Sequence, residues 1–332
     1  MNKETKNAEI RLVRRPGKHL DPLDFSEVAT SVEDPKAGQV LIKVLWLSMD
    51  TYLYERTVED VMGPKVALNT RMVGRGVGIV MAGSMAPGTV VSGEFGWQKY
   101  ATVNESAIAP VSHADVPKTW HLSVLGAPGL TAWTALHKVL RLTAGKTLLV
   151  SGAAGTVGSI VAQLGVEAGL HVIGIAGGPE KCRALMQLGL QATIDRKSVG
   201  DWKQAITAAA PKGIDFYYDN AGGKILEAVV QVINARGHIV LCGHNSEYTS
   251  GKTAQITATD VLYKGLTVHG FRQFDHREEF AEGRADLVRL LQQKKLRINE
   301  NIHEGLASAP SALRDMLEGN GFGKHLVKVQ DE

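Results

Sequence analysis

Cysteine is scarce in this chain, with only Cys182 and Cys242 among 332 residues. They lie sixty residues apart and outside any CxxC pair, which excludes a disulfide framework and a sulfur-rich zinc site and suits a reducing, cytoplasmic setting. The N-terminus has no apolar stretch of the kind a secretory signal needs, because Lys3, Glu4, Lys6, Glu9 and Arg11 interrupt it. Charge of one sign is also missing: 37 Lys and Arg face 34 Asp and Glu. No basic run is dense enough to track a phosphate backbone, which argues against nucleic acid as a partner. One run, Thr147 to Val166, is free of charge for twenty residues, the length of a membrane helix. Its glycines, Ser151 and Thr156 punctuate it instead as strand, turn and helix. Internal repeats and low-complexity segments are absent.

That same run is the most informative feature present. Gly152-Ala153-Ala154-Gly155-Thr156-Val157-Gly158 follows the apolar Thr147-Leu148-Leu149-Val150 and opens an apolar helix. One glycine lets the chain turn off the strand end, a second lets backbone approach a pyrophosphate, and a third lets helix pack on strand. The phosphates then lie at a helix N-terminus. Val157, Val161, Leu164 and Ala168 recur at helical spacing and supply a stripe that can lie on a sheet. The predicted ligand is a dinucleotide.

Up to about residue 120 the chain shows short apolar runs separated by turn signals, such as 39–44, 77–80, 89–91 and 100–103, which predict a mostly-β region. Beyond about 123 the pattern becomes strand alternating with helix. Strands are predicted at 147–151, 171–176, 192–195, 214–219, 238–242 and 266–271, with helices at 180–188, 200–209 and 223–234. Such alternation predicts an α/β fold with a doubly wound parallel sheet. A charged helix at 278–295 and a last strand at 325–329 suggest that the chain returns to its first domain. Domains are expected at 1–122, 123–276 and, for the returning segment, 277–332.

Several segments together resemble a known family. They are Leu47-Ser48-Met49-Asp50-Thr51-Tyr52, Gly93-Glu94-Phe95-Gly96-Trp97-Gln98-Lys99-Tyr100, Gly126-Ala127-Pro128-Gly129-Leu130-Thr131-Ala132-Trp133, Pro179-Glu180-Lys181, Tyr218-Asp219-Asn220-Ala221-Gly222-Gly223 and Gly323-Lys324. In this order they resemble the zinc-free medium-chain dehydrogenase/reductases of the prostaglandin reductase, leukotriene hydroxydehydrogenase, alkenal reductase and curcumin reductase group. The resemblance implies a GroES-like β domain built from both chain ends, an inserted Rossmann domain, NADPH as cofactor and a homodimer. Zinc-dependent cousins carry a glycine-histidine-glutamate motif and a four-cysteine cluster. Here Arg75 stands in the comparable stretch and the cysteines are missing, so no metal is expected.

The end of the second Rossmann strand, Ile175-Ala176-Gly177-Gly178, lacks the carboxylate that binds a bare ribose in NAD enzymes. Lys181 matches a family lysine that meets the NADPH 2′-phosphate, and Arg196 stands where relatives have a phosphate-contacting tyrosine. The alternative is that both cations are merely solvated. Asn220, before Gly222-Gly223, is either a cofactor contact or an ordinary turn residue. Cys242 and Gly243 close the next strand toward the nicotinamide side, with the thiol read as a small filler. The resemblance adds Phe271 beside the nicotinamide amide, and Asn320, displaced by one place from a family asparagine. Tyr52 is the catalytic candidate: a phenol there can stabilise negative charge on a substrate carbonyl oxygen, or it can simply line the pocket with Trp46, Tyr54, Phe271 and Phe274.

Together these features imply an NADPH-dependent oxidoreductase that reduces the carbon–carbon double bond of α,β-unsaturated aldehydes or ketones without metal. The alternatives are a quinone reductase of the zeta-crystallin type and a non-catalytic NADPH-binding protein. The expected partner is a small conjugated carbonyl compound, with no nucleic acid and no membrane.

Overall fold

The computed structural model describes residues 6–17, 19–60, 63–113, 115–246 and 253–332. The chain forms two compact units, one of residues 1–123 with 300–332 and one of residues 124–299.

The first unit opens with β1 (Lys6–Leu12), β2 (Phe25–Ser31), β3 (Gln39–Ser48), the short helix α1 (Tyr52–Val58), β4 (Thr70–Arg71), β5 (Arg75–Gly83), β6 (Val90–Glu94), β7 (Tyr100–Asn104) and β8 (Ile108–Pro110). β1, β2 and β4 form a small antiparallel sheet. Most of the rest build a second sheet around β3, whose alternating and fully apolar positions let it pair with β5 and β7 and bury Val40, Ile42, Val44 and Leu47.

The second unit alternates as its sequence pattern predicts: α2 (Ala127–Thr134), β9 (Thr147–Val150), α3 (Thr156–Glu167), β10 (His171–Ala176), α4 (Pro179–Gln187), β11 (Ala192–Asp195), α5 (Trp202–Ala209), β12 (Ile214–Asp219), α6 (Gly223–Val232), β13 (Ile233–Leu241), α7 (Ala258–Lys264), β14 (Thr267–Gly270) and α8 (Phe280–Gln292). All six strands are parallel, in the order β11-β10-β9-β12-β13-β14. This is the doubly wound order 3-2-1-4-5-6, which reverses between β9 and β12. β9, covered on both faces, is buried at every position. The stripe expected on α3 turns slightly: Val161 and Leu164 are buried, but Ile160 and Gly165 complete the sheet-facing row in place of Val157 and Ala168. Gly165 is needed there, since a Cβ would stand 2.8 Å from Leu148 Cδ2.

The boundary expected at 277 falls instead at Glu300. Residues 277–299 stay with the second unit because α8 packs on α2: Trp133 Nε1 donates to Asp286 Oδ2 at 2.9 Å, and Gly283 lies flat against the Trp133 ring. Gln163 of α3 then clasps the following segment, donating to the Arg297 carbonyl and accepting from its N–H. Only after this does the chain enter β15 (Glu300–Glu304), α9 (Ala309–Glu318) and β16 (Lys324–Lys328). β16 pairs antiparallel with β3, Leu326 opposite Ser48. Among the described residues no helix is long and apolar enough to cross a membrane.

Candidate functional site

Thirteen of the residues expected at a cofactor or catalytic site lie at the carboxyl ends of the six strands of the second unit, where ligands bind in such sheets. After β9 the chain turns through Gly152, whose φ of +59° is left-handed. Ala153 N donates to the Ile175 carbonyl and Gly155 N to that of Gly152. A Cβ on Gly158 would stand 2.3 Å from Gly152 O, so glycine alone permits the tight entry into α3. Thr156, Val157 and Gly158 form the first turn of that helix, the end at which a helix favours an anion.

Across the reversal of strand order a buried network locks this loop to the one after β12. Asp219 is fully buried. Its Oδ1 accepts from Ser151 Oγ at 2.8 Å, Tyr217 OH at 2.7 Å, and the backbone N–H groups of Ala221 and Gly222, both at 2.9 Å. Ser151 Oγ in turn accepts from Asn220 N, and Asn220 Nδ2 donates to the Ser151 carbonyl at 2.8 Å. Asn220 is therefore an anchor between the two loops, whatever else it contacts. Cys242 N and Gly243 N both donate to the Asp219 carbonyl, and Phe271 N to that of Leu241, which lines up the ends of β12, β13 and β14. Cys242 Sγ accepts from Tyr218 OH, and burial pushes the thiol up to about 11, fitting a filler rather than a nucleophile.

At the other side, β10 ends on Gly177 and Gly178. Arg196 N donates to the Ala176 carbonyl, and its guanidinium lies so close over Gly177 that a Cβ there would be 2.9 Å from Nε. Lys181, on the first turn of α4, is half-buried, and its amino group is pushed below the usual lysine range by burial and by the charges of Arg196 and Lys197. Asp195 does not neutralise this corner alone; its Oδ1 faces the backbone N–H groups of Gly178 and Lys197, which hold its carboxyl below the usual range. Three cations crowding one another beside a glycine-lined strand end form a place for a doubly charged anion. The glycine cradle and this corner fit a dinucleotide that carries a 2′-phosphate.

The remaining two candidates belong to the first unit. Asn320 follows α9, where its side chain donates to Asp315 and Glu318. Tyr52 opens α1, and its OH donates to Glu94 Oε1 at 3.4 Å. Burial, with the Glu94 and Asp50 carboxylates nearby, pushes the phenol well above its ordinary value. Tyr54 points elsewhere, to the Gly17 carbonyl. The start of α1 is pinned by Lys324, which stands in the Gly323-Lys324 segment of the family resemblance but carries no role there. Lys324, 1 % exposed along its side chain, donates to the Met49 carbonyl at 2.8 Å and to Asp50 Oδ1 at 2.5 Å, while Ser48 Oγ donates to Asp50 Oδ2. Asp219 likewise stands in the quoted Tyr218-to-Gly223 segment, but its buried network with Ser151 and Tyr217 is visible only in the fold. Among the described residues no group of three or more His, Cys, Asp or Glu is placed to share a metal ion.

Residues 156–289 match the family model described as "Zinc-binding dehydrogenase", and residues 8–111 match the model "N-terminal domain of oxidoreductase". The chain is 35 % identical to a putative NADP-dependent oxidoreductase of Bacillus subtilis, over 97 % of this chain and 98 % of the relative. It is 32 % identical to the NADPH-dependent curcumin reductase of Escherichia coli, over 98 % and 97 %. The crystal structure of CurA from Vibrio vulnificus superposes with a TM-score of 0.91 at 32 % identity, covering 98 % of this chain and 99 % of that one; CurA has also been solved in complex with NADPH. The chain belongs to the medium-chain dehydrogenase/reductases, in the zinc-free group of curcumin, prostaglandin and alkenal reductases, and is an oxidoreductase.

Proposed function

We propose that the protein is an NADPH-dependent reductase of the carbon–carbon double bond in α,β-unsaturated aldehydes and ketones. The observation that carries this reading is the pairing of a glycine cradle with a cationic corner on one parallel sheet, in a chain that aligns end to end with a curcumin reductase.

Gly152, Ala153, Gly155, Thr156, Val157 and Gly158 would hold the pyrophosphate, and Gly177, Lys181 and Arg196 the 2′-phosphate. Asn220, Cys242, Gly243 and Phe271 would face the nicotinamide side, with Asn320 as a further contact. When bound, NADPH supplies the hydride. Tyr52 keeps its proton because burial and Glu94 hold it on the oxygen. Its role is thus to donate a hydrogen bond to the substrate carbonyl oxygen, exchanging the long bond to Glu94 for one to a site of growing negative charge. Such a phenol stabilises charge but is a poor acid. No metal takes part, and the edge of β14, which pairs with no further strand among the described residues, is the surface on which two copies would pair as a homodimer. The two free thiols suit a reducing, cytoplasmic setting.

The test is a spectrophotometric screen of NADPH consumption over 2-alkenals, enones and quinones in the presence of a chelator. Saturable turnover of enones with saturated carbonyl products is expected. Turnover confined to quinones, or NADPH binding without consumption by any of these compounds, would overturn the assignment.

A further inference from the structure

Double-bond reduction adds a hydride at one carbon and requires a proton at its neighbour, and Tyr52 is poorly suited to release one. Immediately after β14, at the same carboxyl edge as Cys242 and Gly243, the chain makes a short 3-10 turn, Gln273–Glu279. Its backbone breaks at His276, with φ −125° and ψ 35°. The imidazole stacks on the buried Phe271 ring, centroids 5.3 Å apart and planes 20° apart. His276 Nδ1 lies 3.4 Å from Glu279 Oε2, a buried atom with no hydrogen bond among the described residues.

The turn is held down from both sides. Gln273 Nε2 donates to the Ala127 carbonyl, and Arg272 is bidentate to Asp275 at 2.9 Å for each contact. The other charges near the imidazole are accounted for. Arg277 lies over the Phe274 ring, and Glu278 is exposed. Helix α2, packed against the turn, contains no charged residue. Helix α8 brings Glu282, Arg284, Asp286 and Arg289, which engage Lys138, the Leu125 carbonyl, Trp133 and one another. Glu279 is therefore the carboxylate that orients the ring, and with Nδ1 turned toward it, Nε2 is the nitrogen left to exchange a proton.

We infer that His276 supplies the proton of the reduction, with Glu279 as its positioning residue. This rests on the double-bond reading. The hydride and its electron pair form a new C–H bond at the β carbon as the carbon–carbon π bond breaks, and the displaced π electrons delocalise onto the carbonyl oxygen. The α carbon then takes the proton from Nε2, re-forming the carbonyl. The imidazolium becomes neutral imidazole and regains its proton from water; the hydride and its electron pair are what bound NADPH would supply.

The experiment compares wild type, His276→Gln and Glu279→Gln by NADPH fluorescence titration, by the pH dependence of kcat/KM with a 2-alkenal, and by the 15N spectrum of the histidine rings. Wild-type kcat/KM should fall as pH rises, as expected of a step that consumes a proton held by a general acid. His276→Gln should keep its NADPH affinity within about twofold, lose on the order of 10²-fold in kcat and lose that pH dependence. Glu279→Gln, the smaller change, should shift the ring proton away from Nδ1 in the spectrum and lower kcat about tenfold with KM unchanged. An unaltered rate and profile in His276→Gln, or an unaltered ring spectrum in Glu279→Gln, overturns the inference alone. A wild-type protein that reduces no enone overturns the double-bond reading and this inference with it.

Discussion

The two units organise their chemistry differently. In the second, the candidate residues sit in short loops at the ends of adjacent strands, and backbone groups do much of the holding: Ala153, Cys242, Gly243 and Phe271 are each placed by a main-chain N–H bonded to a neighbouring strand. In the first, side chains from opposite ends of the chain hold the candidate site, with Lys324 reaching Asp50 across 274 residues of sequence. A site built from one sheet's edge is robust to side-chain changes and legible in local motifs. A site built by an ion pair with a buried lysine depends on the survival of both partners.

The sharpest way to break this contrast is to remove the buried cation. Lys324→Met leaves Asp50 with its hydrogen bond from Ser48 but without its cation, beside a carbonyl and an apolar chain, and losing the buried member of such a pair costs about 3 kcal/mol. Hydrogen exchange read by mass spectrometry should show protection falling across β3, α1 and β16 while β9–β14 keep theirs. Equal loss in both units, or in neither, would remove the distinction.

Acid should separate the units next. His325 is buried beside His303, with Nε2 of His303 3.2 Å from Nδ1 of His325, and burial pushes its pKa down to about 4. Because the folded value lies below the unfolded one of about 6.5, the unfolded chain binds the extra proton between them. The stability this group contributes is full above about pH 6.5 and is lost as pH falls toward about 4. On the order of 2 kcal/mol is at stake. Unfolding in urea at pH 7 and pH 4.5 should show the first unit weakening, and His325→Gln should flatten the difference. A His325→Gln protein with the same pH response would point to other groups.

The smallest expected effect concerns the second unit and discriminates between ligands. Lys181→Ala should weaken NADPH about tenfold, the equivalent of roughly 1.4 kcal/mol, and Arg196→Ala similarly. NADH, without the 2′-phosphate, should hardly respond in calorimetric titration. Equal losses for both cofactors would mean that these cations support the fold and do not read the phosphate.

What could be read along the chain follows the same division. Strand and helix periodicity, together with glycines at Gly152, Gly155 and Gly158, determined the parallel sheet and the tight glycine loop after its first strand, because each signal spans fewer than about a dozen neighbouring residues and obeys local steric rules. Lys181 and Arg196 were legible only through resemblance, since isolated surface cations carry no periodic signal; that they crowd one corner is a result of β10 pairing with β11. The tertiary structure alone decided where the second unit ends. The helix at 280–292 carries an ordinary amphipathic pattern, and nothing in that pattern names Trp133 as its partner. It also decided that Asp219 and Ser151 tie two loops together, that Lys324 anchors α1, and that His276 meets Glu279 against Phe271. Each depends on contacts between groups whose meeting is set by the packing of whole elements, and a buried polar side chain shows its partner only after the chain has folded around it.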